Sequence, residues 1–320
     1  MTYNYSMLAI WTVAISAIAT IGVTDAFGTS VVYGPASKEL ILLTSKIAAK
    51  EGSESFCIVG PGQESKGRRL MYGAPPGEED KDGEGDDNNE PVAAAPVEED
   101  PDRIVAQPIS SGGDMQDALQ KATTLFLVCY DQPIEESAVG TLIKSAGSDL
   151  SKVVMLSKMG ASAGGGGGFF GGGSKLAESE KGVRSICKAN NLDLSIVRAG
   201  QLKGGGPGEP FTLDYGLDKQ YYYTLFEFSE AQCTMSHDRF TLGVDCSKGD
   251  TVDMPNPITL FGTKTSFEPY PHDTNRINAA MACVMAAKHD KPVEFSIATA
   301  KSEQPPSKEE WQDIMVKMEV

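Results

Sequence analysis

Histidine is scarce in this chain, three in 320 residues, beside two tryptophans and six cysteines. No pair of these residues builds a metal site. Cys233 and His237 are spaced to share one helix face, but two ligands do not hold zinc, so no metal is expected. The cysteines at 57, 129, 187, 233, 246 and 283 are widely separated, and Cys57 and Cys129 lie in apolar runs. They read as buried free thiols, which suit a reducing compartment. Basic charge is also short: 28 Lys and Arg against 44 Asp and Glu, a formal net of −16. No basic stripe offsets phosphate charge, which excludes nucleic acid as a partner. Only residues 7–23 form a long apolar run, so no stable transmembrane span is expected once that run is removed.

What is present is unevenly placed. Residues 77–102 hold twelve acidic side chains against the single Lys81, a net of −11, and almost no large apolar group. Such a stretch cannot offset its own ordering entropy and reads as a disordered surface insertion. The apolar run at 7–23 suits a signal-peptide core, with Thr24 and Ala26 as the small residues before a cut. An uncleaved anchor is the alternative. Ala26-Phe27 after that run resembles the bipartite plastid presequence of diatoms and other algae with complex plastids. The resemblance implies a plastid destination and a plastid protein partner, with the secretory pathway or the extracellular space as the alternative.

The remainder alternates strands and helices. Residues 29–33 form a β-branched strand ended by Gly34-Pro35, and 39–50 a helix with Leu40, Leu43, Ile47 and Ala48 on one face. Further strands are predicted at 55–59, 103–106, 124–129, 152–156 and 194–197, with helices at 115–122, 134–145 and 174–190. The expected fold is α/β: a Rossmann-like doubly wound parallel sheet with a smaller C-terminal lobe. Residues 1–26 are the signal peptide and 27–203 the nucleotide-binding core, with the acidic insertion at 77–102 and a glycine-rich loop at 164–173. Residues 204–320 form a lobe completing the same domain. That lobe holds the aromatic cluster 221–226, strands at 240–244, 258–261 and 293–298, and helices at 275–288 and 308–317.

Several segments together resemble the atypical short-chain dehydrogenase/reductase family, in its NAD(P)H-binding, NmrA-like branch. Val31-Val32-Tyr33-Gly34-Pro35-Ala36-Ser37-Lys38-Glu39-Leu40 stands where that family has its Gly-x-x-Gly-x-x-Gly turn. Val153-Val154-Met155-Leu156-Ser157-Lys158-Met159-Gly160 is similar to its strand ending in Ser-Ser-x-Gly. Residues 175–200, closing in Ile196-Val197-Arg198-Ala199-Gly200, resemble its helix and its strand ending in Ile-Val-Arg-Pro-Gly. The resemblance implies a bound NAD(P), NADP before NAD, held by Gly34, Ala36, Ser37, Arg68, Arg69 and Cys129. It also implies Lys175 and Ser157 as catalytic groups.

The motifs are depleted where chemistry needs them. A dinucleotide turn uses one glycine to turn, one for backbone approach to the pyrophosphate and one for helix–strand packing. Only Gly34 survives, with Ser37 and Leu40 in the other two places. Arg68 and Arg69, on a loop after the second strand, would be the groups for a 2′-phosphate. Family oxidoreductases set a lysine beside a tyrosine to lower the phenol pKa. Counting back from Lys175, the tyrosine place is Gly171. The glycine-rich run lacks the Gly-Lys-Ser/Thr order of a phosphate loop and is expected to start no helix. The leading reading is a non-catalytic scaffold or assembly and regulatory factor. An NAD(P)H-dependent oxidoreductase of unusual mechanism, with Tyr215 or Tyr221 supplying the phenol, and a cofactor-free secretory binding module stay open.

Overall fold

β-Branched and aromatic residues open the fold: Thr29–Tyr33 form β1, buried through its middle. This is a computed structural model that describes residues 27–35, 38–73, 104–110, 112–130, 132–162, 172–204, 215–217, 241–250, 273–300, 302 and 304–320. After β1 come α1 (Lys38–Lys50), β2 (Glu54–Ile58), α2 (Glu64–Tyr72), β3 (Gln107–Ile109), α3 (Gly112–Lys121) and β4 (Thr124–Val128). Then follow α4 (Glu136–Ser145), β5 (Lys152–Lys158), α5 (Gly172–Ala189) and β6 (Asp193–Ala199). The short β7 (Gln201–Lys203), β8 (Gly243–Lys248) and β9 (Asp273–Asn275) precede α6 (Arg276–Lys288), β10 (Glu294–Ala300) and α7 (Lys308–Lys317).

The main sheet runs β3-β2-β1-β4-β5-β6-β10-β8. Every pairing from β3 to β10 is parallel, and β8 joins β10 antiparallel as one edge. β3 is the other edge; its middle residue, Pro108, has no N–H to offer a further strand. β7 and β9 pair with each other in a separate parallel ribbon. This is the expected doubly wound α/β fold, with β1 an interior strand paired to β2 and β4.

Both faces of the sheet are covered, so the central strands are near-continuous apolar runs rather than alternating ones. Val32, Val154, Leu156, Val197 and Phe295 pack with Leu40, Leu43 and Ile47 of α1 and with α6 on one face. Val31, Leu125, Leu127, Val153, Met155 and Ile196 pack on the other with Leu119, Val139 and Val183 of α3, α4 and α5. α6 is buried almost all round, because it lies between sheet and α1 and its alanines allow close approach.

Four expectations are corrected in position. The third strand is at 107–109, not 103–106. Arg68 and Arg69 stand on α2 rather than on a loop. α5 begins at Gly172, inside the glycine-rich run; Leu176, Val183 and Cys187 anchor it from within, so the glycine start is tolerated. The strand expected at 240–244 lies at 243–248. The signal segment, the acidic insertion, the cluster 221–226 and the strand at 258–261 lie outside the described residues.

Candidate functional site

Strand order reverses between β1 and β4, and in open α/β sheets the crevice beyond the carboxyl ends at that reversal is where ligands bind. β1 leads there into Gly34. A Cβ on Gly34 would sit 2.5 Å from the Val128 carbonyl oxygen and 3.1 Å from Val128 Cβ, so only glycine lets the turn pass β4. α1 follows, presenting its N-terminal N–H groups and positive dipole end at the same edge. Ala36 and Ser37 lie outside the described residues. Leu40, in the third glycine's place, packs into the core at 1% exposure and stays out of the crevice.

β4 ends beside this turn. The Cys129 N–H donates to the Leu156 carbonyl at 2.9 Å, extending the β4–β5 register by one residue. Its thiol is buried, and burial, with the Glu180 charge adding, pushes its pKa up to about 12. Cys129 is therefore a neutral thiol whose backbone, not its sulfur, faces β5. The next residue, Tyr130, accepts a hydrogen bond from the Leu202 N–H at 3.2 Å, and Lys158 Nζ lies 5.5 Å from its ring centroid. Arg68 is exposed and Arg69 partly buried on the second turn of α2. Gly60 and Gly62, just after β2, have no crowding neighbour among the described residues within 3.5 Å of a built Cβ.

Among the described residues, no phenol stands beside the two expected catalytic groups. Ser157 is fully buried in β5, and its Oγ has no hydrogen-bond partner among the described residues. Lys175 is exposed on the first turns of α5. Tyr215 lies against Lys50, whose Nζ is 4.2 Å from its ring, at the last residue of α1. That is the amino edge of the sheet, opposite the start of α5. Burial and the Glu51 charge raise the Tyr215 pKa, so this residue does not supply Lys175 with an acidic phenol. Tyr221 lies outside the described residues.

Behind the crevice lies a buried charge network. Arg198, paired in register with Ser157 across β5 and β6, is fully buried. Its Nε donates to Glu180 Oε1 at 3.0 Å and its Nη2 to Glu180 Oε2 at 2.6 Å, a bidentate pair that fixes α5 over β6. Nη2 also reaches Glu294 of β10 at 2.7 Å, and Arg184 of α5 reaches the same oxygen at 2.6 Å. Asp250 adds a third carboxylate, 3.7 Å from Arg198 Nε. A charge inside the apolar run Leu194-Ser195-Ile196-Val197-Arg198 was the one visible sign, because a buried guanidinium demands partners. Asp250 gave none. Among the described residues, no group of three His, Cys, Asp or Glu could hold a metal ion, and no helix is long and apolar enough to cross a membrane.

No family model and no curated protein matches the sequence. Among solved structures, the chain is similar to a wide-type short-chain dehydrogenase/reductase from Veillonella parvula in complex with NADP. That likeness has 12% identity and a TM-score of 0.43, covering 88% of this chain and 98% of the other. Yeast methylglyoxal/isovaleraldehyde reductase complexed with NADPH is similar at 9% identity and a TM-score of 0.47, over 84% and 76%. A UDP-N-acetylglucosamine 4-epimerase from Methanobrevibacter ruminantium is similar at 12% and 0.43, over 85% and 76%. Likenesses this distant leave the fold resting on its own strand order and say nothing of the chemistry.

Proposed function

We propose that this chain is a nicotinamide-dinucleotide-binding domain that lacks tyrosine–lysine proton chemistry and acts as a scaffold, assembly or regulatory factor. The observation that carries the reading is Ser157: its hydroxyl is sealed within the sheet rather than set in the crevice. With Gly171 in the tyrosine's place and Lys175 exposed to solvent, no tyrosine–lysine pair is assembled among the described residues. The ligand site fits better. The α1 N-terminus at the β1–β4 reversal suits a pyrophosphate, with Gly34, Ala36 and Ser37 at the turn and the Cys129 backbone opposite. Arg68 and Arg69 are the cations for a 2′-phosphate, which favours NADP over NAD.

Titrating the mature chain with NADPH and NADH, read by thermal shift, tests this. At a ligand concentration near one hundred times Kd, binding should add about 2.7 kcal/mol. Lys175→Ala should keep that rise, and neither protein should consume NADPH with carbonyl substrates. No rise with either nucleotide removes the binding reading. Turnover in the parent that is lost in Lys175→Ala removes the non-catalytic one.

We further propose a plastid destination, through the secretory signal, with a plastid protein as partner. One observation favours the alternative of retention in the secretory pathway. Phe27 packs against the core and its carbonyl accepts the Thr123 hydroxyl at 3.2 Å, two residues before β1. A transit peptide starting at Phe27 and later removed would take part of the fold with it. A fluorescent reporter behind residues 1–35, expressed in an alga with complex plastids, separates the two. Plastid fluorescence that Phe27→Ala diverts supports the plastid reading; secretory fluorescence in both sinks it.

A further inference from the structure

The turn after β5 is made of hydrogen-bond donors, and it is filled by an acceptor from about ninety residues further along the chain. The Gly160 N–H donates to Asp250 Oδ1 at 2.7 Å. The Ser162 N–H and the Ser162 hydroxyl both donate to Asp250 Oδ2 at 2.8 Å. Arg198 Nε stands 3.7 Å from that same oxygen. Gly160 has φ of 81°, the left-handed conformation open to glycine, and such a turn converges N–H groups on one anion. The Asp250 side chain is only 2% exposed. Two backbone amides, a hydroxyl and a guanidinium thus converge on one carboxylate, at the sheet edge where ligands of this fold bind.

Two further observations set this apart from an ordinary loop clasp. First, polar capacity around Arg198 is not exhausted: its Nη1 and the Ser157 hydroxyl, on residues paired across β5 and β6, are both buried without a hydrogen-bond partner among the described residues. Second, the occupant follows an edge strand of the sheet. β8 ends two residues before Asp250 and pairs with β10 alone, so its departure leaves every parallel pairing of the sheet in place.

We propose that residues 160–162 with Arg198 form a carboxylate receptor, and that Asp250 is a tethered internal ligand holding it closed. A free carboxylate competes with Asp250 for the same four donors. Because the tether keeps the internal carboxylate at high effective concentration, the receptor opens to outside ligands only when β8 lifts or Asp250 is lost. Charge selects the ligand class: a carboxamide offers one acceptor oxygen and loses the charge-assisted character of the bonds.

Asp250→Ala empties the receptor and tests the assignment by chemical rescue. Melting temperatures are compared in sodium formate and in sodium chloride at matched ionic strength. The parent should melt alike in both. Asp250→Ala should melt lower in chloride and regain several degrees in formate along a saturating curve, with formamide inert. Equal melting of the variant in formate and chloride overturns the proposal. Should Asp250→Ala fail to fold in chloride, recovery of its native circular dichroism in formate supports the receptor. In that event Asp250→Ser, whose shorter side chain also vacates the receptor, gives the second measurement. Formate should slow amide exchange at Gly160 and Ser162 in that variant, and exchange unchanged by formate overturns the proposal.

Discussion

Gly34 shows how one residue can be singled out for one reason and held in place by another. In the sequence it stands in the first glycine's place of the dinucleotide turn that the family resemblance implies. In the structure its missing side chain makes room for the Val128 carbonyl, 2.5 Å from where a Cβ would stand. Backbone cannot swing aside as a side chain can, so Gly34→Ala has to shift β1 against β4. The expected cost is about 2 kcal/mol, within the overpacking range, read as a lower urea midpoint with an unchanged slope. Unchanged stability would mean that the turn relaxes freely and that the crevice wall is soft. Leu40 makes the complementary point. The sequence sets it where tight packing calls for glycine, yet it is accommodated in the core beside Leu43 and Ile47.

Elements were legible in proportion to how much they bury. β1, β4, β5 and β6 are apolar runs closed in from both sides, and their signals fall within three residues of the strands observed. α2 was missed because its buried side is short, Gly67, Leu70 and Met71, and offers little apolar periodicity. That glycine lies under Pro108, whose Cγ would be 3.1 Å from an added Cβ, so it marks a packing contact between α2 and β3. β7 and β9 have three residues each and arise from a pairing of Gln201–Lys203 with residues some seventy positions away, which no local pattern announces. Asp250 was hidden for the same reason: its partners are 52 to 90 positions away, and nothing near it in sequence marks it. The salt-bridged elements α5, β6 and β10 make a pH prediction. Burial alone would raise the Glu294 pKa, but hydrogen bonds and charge from Arg184 and Arg198 outweigh it and the net shift is downward from 4.5. A depressed carboxylate adds stability that is complete above its unfolded pKa and lost as pH falls through the folded one. Stability should therefore decline below about pH 4.5. Glu294→Gln should lose about 2 kcal/mol at neutral pH and show a flatter acid limb in pH-dependent urea melts. An acid limb as steep as the parent's would show that this trio contributes nothing to acid lability.

At the scale of the molecule, a doubly wound sheet was readable from the rhythm of strands and helices, whereas a reaction was not. The rhythm is a bulk property of many residues, whereas chemistry rests on single side chains, and position 171, where the family resemblance calls for tyrosine, holds glycine. The sheet's two ends also differ in a way that bears on how copies of this chain meet. At the β8 end the last strand has full antiparallel pairing over six residues. At the β3 end the strand is three residues long, with a proline at its middle, and the chain between α2 and β3 carries the −11 block. A second molecule approaching side-on along β3 meets a short edge with one donor missing. Edge-to-edge growth into filaments is thereby disfavoured on that side, because a ladder begun there would lack a rung.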